Sequence, residues 1–143
     1  MSRFLLACWP FVGHINPYLS VAVALRERGH DVAFYASERT RHVIEAENFR
    51  MFAYQRVDED YVWEVVRLME TGAPVGRRSI RAALRTFQEW LVGTMPGQVA
   101  DLEPIIRAWR PDVLVAETAM WGPILVLWEA TGIPVAILST LLG

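Results

Sequence analysis

Residues 4–17 read FLLACWPFVGHINP, and this stretch decides the fold class. Residues 4–9 form a continuous apolar run without alternation, which is typical of a parallel strand covered on both faces. Residues 10–15 predict a tight turn. Asn16 and Pro17 then supply the N-cap and the first residue of a helix. A buried strand, a turn and a helix in this order predict the opening unit of an α/β sheet.

The rest of the chain continues this alternation of strands and helices, except in a middle segment that is predicted to be helical. Further strands are predicted at 32–36, 51–53, 113–116 and 135–138, and helices at 17–28, 37–47, 99–109 and 122–130. Residues 58–97 contain apolar residues at helical spacing and no convincing strand, so they predict a helical insertion. The whole pattern favours an α/β fold with a Rossmann-like, doubly wound parallel sheet.

Size and composition restrict the class of protein. The chain has 143 residues, of which 53% are hydrophobic, so we expect one domain (residues 1–143) with a sizeable core. The formal net charge of -2 gives no general attraction to nucleic acid. The single cysteine, Cys8, excludes an internal disulfide and favours a cytoplasmic protein. Prolines, glycines or charges interrupt both long apolar stretches, so no membrane span is predicted.

His14 is the first candidate for chemistry, because it follows the first strand. Ligands of doubly wound sheets lie at the carboxyl ends of the strands. An imidazole there can act as a general base near neutral pH. A single loop histidine is more often structural or solvated, so both interpretations stay open at this point. His30 and His42 share no close spacing with His14, and no metal site is predicted.

Glu117 is the second candidate, since a carboxylate at the end of an apolar strand is unexpected unless it faces the crevice. If the first and fourth strands are neighbours, Glu117 can reach His14 and orient its ring. The alternative is a solvated acid that caps the next helix. The segments expected at the same edge supply the candidate substrate-binding residues, which are Phe11, Gly13, Asn16, Met120, Trp121, Ser139 and Thr140.

The tryptophans divide between core and pocket. Trp9 and Trp128 lie in apolar runs and are predicted in the core, and Trp121 is the favoured apolar wall for a ligand. Three more could be either, namely Trp63, Trp90 and Trp109. Residues 76–81 form a small basic cluster, which could bind an acidic group or simply be a solvated helix face.

Four landmarks occur together along the chain: residues 13–17 after the first strand, 28–32 before the second, 111–117 in the fourth, and 132–135 before the fifth. In this order they resemble the GT-B-fold glycosyltransferases of the UDP-glycosyltransferase superfamily. The resemblance is strongest to the bacterial enzymes that glycosylate macrolides and other natural products. It implies the N-terminal half of a GT-B fold.

The resemblance also implies roles. A histidine in the first loop of that family, here His14, deprotonates the acceptor hydroxyl, and the sugar is transferred with inversion. An aspartate after the fourth strand usually supports the histidine, and Glu117 stands at that position with a side chain one methylene longer. The insertion shapes the acceptor pocket, and its apolar content suggests a small-molecule acceptor that is hydrophobic.

Family enzymes need no metal or other cofactor, and they bind a nucleotide-sugar, such as a UDP- or TDP-sugar, mainly through a C-terminal domain that is absent here. Two alternatives remain. One is a non-catalytic binding or auxiliary protein with the same half-fold. The other is an unrelated α/β enzyme that uses His14 and Glu117 for hydrolysis, which is disfavoured because the sequence offers no nucleophile. The sequence predicts no oligomeric state.

Overall fold

The computed structural model describes residues 1–71 and 77–140, with only the backbone described at residues 69 and 77–79. The strands are β1 (Arg3–Ala7), β2 (Asp31–Ala36), β3 (Arg50–Ala53), β4 (Val113–Glu117) and β5 (Val135–Leu138). The helices are α1 (Val12–Glu27), α2 (Arg41–Ala46), α3 (Glu59–Thr71), α4 (Arg77–Gln88), α5 (Met95–Trp109) and α6 (Trp128–Thr131). A 3₁₀ turn at Glu38–Thr40 precedes α2, and π-helical segments at Glu89–Gly93 and Gly122–Leu127 follow α4 and precede α6.

The strands form one sheet in the order β3-β2-β1-β4-β5, and every neighbouring pair is parallel. The predicted α/β, doubly wound fold with a helical insertion is therefore confirmed. The strand order reverses between β1 and β4, where Ala7 pairs with Ala116. Doubly wound sheets bind ligands beside such a reversal.

The central strand β1 is buried on both faces, as its unbroken apolar run predicted. Leu5 and Trp9 pack on one face with residues of α3 and α5. Leu6 and Cys8 pack on the other face with residues of α1 and α2. The side chains of a strand alternate between faces, so this one run supplies both halves of the core. The insertion thus covers one face of the sheet, close to the end of β1.

Helix α1 begins earlier than predicted. Its first residue is Val12, and the carbonyl of Phe11 accepts hydrogen bonds from the amides of His14 and Ile15, each at 2.9 Å. Pro17 lies inside the helix, where its missing N–H removes one hydrogen bond near the start without ending the helix. The Asn-Pro pair is therefore not the helix start, and His14 lies in the first turn rather than in a loop.

Two other expectations need correction. Helix α5 begins at Met95 rather than at residue 99, because Pro96 is tolerated in a first turn whose N–H groups need no intrahelical partner. Trp128 is 60% exposed rather than in the core, since it begins the short helix α6, none of whose residues is buried. Most of the predicted break between the two insertion helices, and Gly76 of the basic cluster, lie outside the described residues.

Candidate functional site

His14 and Glu117 meet beside the strand-order reversal. Glu117 is the last residue of β4, and its side chain is fully buried. One carboxylate oxygen contacts Nδ1 of His14, whose side chain is 14% exposed. The conditional prediction that the two residues come together is therefore confirmed, because β1 and β4 are neighbours in the sheet.

The other oxygen of Glu117 holds the loop that leads to His14. It accepts a hydrogen bond of 3.0 Å from the backbone amide of Trp9. Thr140, beyond β5, donates its hydroxyl to the first oxygen at 3.3 Å. The buried carboxylate is thus satisfied by a ring, an amide and a hydroxyl from three parts of the chain, as a buried charge requires.

This contact selects one tautomer of His14. An ionised carboxylate can only accept hydrogen bonds, so Nδ1 must carry the hydrogen. The other ring nitrogen, Nε2, then holds a lone pair and can accept a proton. Such an arrangement can serve a general base that is oriented by a carboxylate.

A cavity of about 490 Å³ lies next to His14. Its walls are mainly apolar and aromatic, and Phe11, Trp63 and Trp90 are the rings that line it. The ring centroid of Phe11 lies 4.9 Å from that of His14 and 5.7 Å from that of Trp90, both in edge-on geometry. The histidine therefore lies at the border of a space suited to an apolar molecule.

Trp90 forms a fixed wall of this cavity. It lies in the π-helical segment Glu89–Gly93 and is only 5% exposed. The rings of Trp9 and Phe87 pack against it, with centroids at 5.6 and 5.9 Å. A tryptophan packed in this way presents a rigid apolar surface.

The predicted substrate-binding residues fall into separate groups. Phe11 and Gly13 line the cavity beside His14, and Thr140 contacts Glu117. Asn16 is exposed and lines a smaller neighbouring cavity. The remaining three do not line the main cavity: Met120 is fully buried, Trp121 is 37% exposed, and Ser139 is exposed. A binding role for any of them stays a prediction.

Sequence reasoning missed Val66 and Glu70 and left Trp63 undecided, although a signal was present. Val62 and Val65 face the core and are fully buried. Trp63, Val66 and Glu70 follow at helical spacing on the neighbouring stripe of α3 and line the cavity. Of the other undecided tryptophans, Trp90 lines the cavity and Trp109 packs in the core.

Other groups offer no second chemical centre in the described part of the chain. Burial, together with the nearby Glu117 carboxylate, raises the pKa of Cys8, which disfavours its reactive thiolate. Among residues 1–71 and 77–140, no three potential metal ligands cluster. No helix in these ranges combines the length and the apolar character needed to cross a bilayer. Arg81 of the basic cluster is exposed, so both interpretations of that cluster stay open.

Curated relatives of the chain are glycosyltransferases. It is 29% identical over 139 residues to 4'-demethylrebeccamycin synthase from Lentzea aerocolonigenes, a match that covers 97% of this chain and 32% of the relative. It is 28% identical over 115 residues to UDP-glycosyltransferase 79B2 from Arabidopsis thaliana, covering 80% of this chain and 24% of the relative. No protein-family model matches the chain.

A solved structure supports the same fold. Spinosyn rhamnosyltransferase SpnG, complexed with spinosyn aglycone, superposes with a TM-score of 0.67 at 17% identity, over 98% of this chain and 34% of that chain. The chain therefore spans about a third or less of each of these three proteins. Its sequence is similar to those of glycosyltransferases, and its parallel sheet with helices matches the fold of a Rossmann-like half of such a structure.

Proposed function

We propose that this chain is the acceptor-binding, N-terminal domain of an inverting glycosyltransferase that modifies a hydrophobic natural product. One observation carries the proposal: a carboxylate-oriented histidine, His14, borders an aromatic cavity at the strand-order reversal. The homology to glycosyltransferases supports the type of reaction. The apolar lining of the cavity supports the type of acceptor.

In this mechanism, Nε2 of His14 takes the proton of an acceptor hydroxyl. The acceptor oxygen forms a bond to the anomeric carbon of the nucleotide-sugar, while the bond from that carbon to the phosphate oxygen breaks. The nucleoside diphosphate leaves with the electron pair, and attack from the opposite side inverts the anomeric configuration. Glu117 keeps Nδ1 protonated and stabilises the imidazolium that forms.

The donor would be a nucleotide-sugar such as a UDP- or TDP-sugar, bound mainly by a second domain outside this chain. Amides at helix N-termini of that domain would hold its phosphates. The proposed mechanism uses no metal: His14 takes the acceptor proton, and the amides of the second domain would stabilise the charge of the leaving diphosphate. A cytoplasmic location remains part of the proposal and is supported by the single, buried Cys8.

The acceptor would place its apolar body in the cavity and its reacting hydroxyl at His14. A volume of about 490 Å³ suits a multi-ring molecule of ordinary ligand size. SpnG is described with a bound aglycone, and the name of the Lentzea relative refers to a rebeccamycin product. Both descriptions agree with a small-molecule acceptor.

The test is the substitution His14→Ala in the full-length protein that contains this domain. We expect the transfer rate to fall by about 10²- to 10⁴-fold, the usual contribution of a general base, while acceptor affinity stays within about threefold. His30→Ala is the control, since His30 does not line the cavity beside His14; its ring accepts a hydrogen bond from the amide of Ser2 at 3.2 Å and packs edge-on against Phe4. A transfer rate unchanged by His14→Ala would exclude the proposed base and favour an auxiliary, binding role.

A further inference from the structure

A second, smaller cavity adjoins the main one. It has a volume of about 210 Å³, and Pro10, Val12 and Trp63 line both spaces. The two cavities therefore share a wall rather than lying in separate parts of the molecule. We call the space beside His14 the main cavity and the smaller space the side cavity.

Trp63 is held in place as part of this wall. Its indole N–H donates to the carboxylate of Glu59 at 3.3 Å, and Glu59 in turn accepts the hydroxyl of Ser37 at 2.5 Å. The guanidinium of Arg39 lies 4.3 Å from the centroid of the Trp63 ring. Arg39 lines the side cavity and not the main cavity, so its charge stacks on the Trp63 ring from the side-cavity side of the wall.

The chemistry of the side cavity differs from that of the main cavity. Ile15 and Val43 give it apolar walls, while Arg39 brings a permanent positive charge and His42 a further nitrogen donor or acceptor. None of its described lining residues is acidic. The acidic group on the main-cavity lining, Glu70, is not shared with the side cavity.

We propose that the side cavity is a second lobe of the acceptor site. It takes an apolar branch of the acceptor that ends in an anionic oxygen, such as a carboxylate, sulfonate or phenolate, which pairs with Arg39. Trp63 is the partition that limits how much of the acceptor passes from the main cavity into this lobe. The inference rests on the proposed function, because it assigns the main cavity to the acceptor body.

Two fluorescent probes test the charge preference by equilibrium titration of the purified chain. N-phenyl-1-naphthylamine is uncharged, and 8-anilinonaphthalene-1-sulfonate has the same aromatic rings with an added sulfonate. The sulfonate should bind more tightly than the neutral probe. Arg39→Gln should weaken the sulfonate about three- to tenfold, the range for a partly exposed, charge-assisted contact, and leave the neutral probe within about twofold.

Arg41→Gln is the matched control for the change in net charge. Arg41 lies two residues away, is paired with Glu38 and Glu45, and does not line the side cavity. Equal weakening of the sulfonate by Arg39→Gln and Arg41→Gln would overturn the charge assignment. Val12→Trp should weaken both probes, because Val12 borders both cavities and is 76% exposed, so a larger side chain there obstructs without repacking the core.

The partition is tested with a dimeric probe, 4,4'-dianilino-1,1'-binaphthyl-5,5'-disulfonate. Trp63→Ala joins the cavities, so the ratio of the dimeric probe's affinity to that of the monomeric sulfonate should rise at least about fivefold. Trp63→Phe should raise this ratio by less. Circular dichroism checks that both variants fold. An unchanged ratio in folded Trp63→Phe and Trp63→Ala would exclude Trp63 as the partition. Failure of the neutral probe to bind the wild-type chain would instead contradict the proposed acceptor cavity itself.

Discussion

The buried carboxylate of Glu117 contacts Nδ1 of His14 and so joins the end of β4 to the first turn of α1. The same carboxylate holds the backbone amide of Trp9 with its second oxygen. One side chain thus orients the proposed base and fixes the loop that leads to its helix. Loss of the contact to His14 is therefore expected to affect catalysis, and loss of the contact to the Trp9 amide to affect stability. A conservative substitution at Glu117 can distinguish the two effects.

Glu117→Gln should lower kcat by about 10²-fold or more and leave the acceptor KM within about threefold. Glutamine keeps the size and can still accept from the Trp9 amide, but it loses the charge that stabilises the imidazolium. Steady-state kinetics of the full-length protein measures the split. Glu129→Gln, an exposed change on α6, is the control, and an equal loss there would show that the effect at Glu117 is not specific.

Phe11→Ala should weaken binding of N-phenyl-1-naphthylamine about tenfold. The ring of Phe11 lines the main cavity and packs edge-on against both His14 and Trp90, and burial of an aromatic surface of this size is worth about 1–2 kcal/mol. Fluorescence titration of the chain measures the change. Trp121→Ala should have no effect, since Trp121 does not line this cavity. The reverse order of effects would support the sequence-based choice of Trp121 as the acceptor wall.

The sequence predicted the sheet well because burial on both faces leaves a readable pattern. The apolar run that forms β1 allows few alternatives, and Gly29, with a φ of 82°, ends α1 as expected. The pairing of His14 with Glu117 followed only on the condition that β1 and β4 are neighbours. Strand order is a property of the folded chain, so the sequence alone could not show whether β1 and β4 are neighbours.

The cavity walls were less accessible to sequence reasoning. A tryptophan suits a protein core as well as a cavity wall. Which of the two Trp63 and Trp90 occupy depends on how α3 and the segment after α4 pack on the sheet. Helical periodicity identifies a buried stripe but does not say whether the next stripe faces solvent or a cavity. The predicted start of α1 is also wrong. Asn16 and Pro17 satisfy the local rules for a helix start, but the folded helix begins at Val12.

Asp101→Ala should destabilise the fold by about 2–4 kcal/mol. One oxygen of this buried carboxylate accepts from the hydroxyl of Tyr35 at 2.9 Å and from the amides of Gln55 and Arg56 at 2.8 and 3.1 Å. Its removal leaves these donors without their acceptor. Urea unfolding at neutral pH measures the loss. Glu103→Ala on the same helix breaks only a surface pair with Arg107 and should change stability by less than about 1 kcal/mol.

Gly97→Ala should also destabilise the fold, by more than about 1 kcal/mol, whereas Gly13→Ala should not. A methyl group at position 97 would lie 2.4 Å from the backbone carbonyl oxygen of Arg56, which cannot rotate away as a side chain can. A methyl group at position 13 meets no atom within 4 Å. Gly13 lies inside α1, where alanine has the higher helix propensity. Thermal melting compares the two, and equal melting temperatures would contradict the close contact at Gly97.

Alkaline pH should unfold the chain in a way that reports on its buried tyrosines. Burial raises the pKa of Tyr18, Tyr35 and Tyr54. In the unfolded chain each phenol titrates near pH 10, so above that pH the unfolded state binds fewer protons than the folded state and stability falls as pH rises. Below about pH 9 these groups make no contribution to the pH dependence.

No lysine titrates in this range, because all 14 lysine-plus-arginine positions are arginines. Cys8, whose pKa burial also raises, adds a contribution of the same sign that the tyrosine variants below keep. Each buried phenol should reduce the free energy of unfolding by up to about 1.4 kcal/mol per pH unit above pH 10. Tyr54→Phe should therefore lower the slope of urea-unfolding free energy against pH by about that amount, although it also removes a hydrogen bond to the carbonyl of Cys8. Tyr61→Phe is the matched control, since Tyr61 is 37% exposed and should leave the slope unchanged. If both variants keep the wild-type slope, burial of Tyr54 does not couple its ionisation to folding.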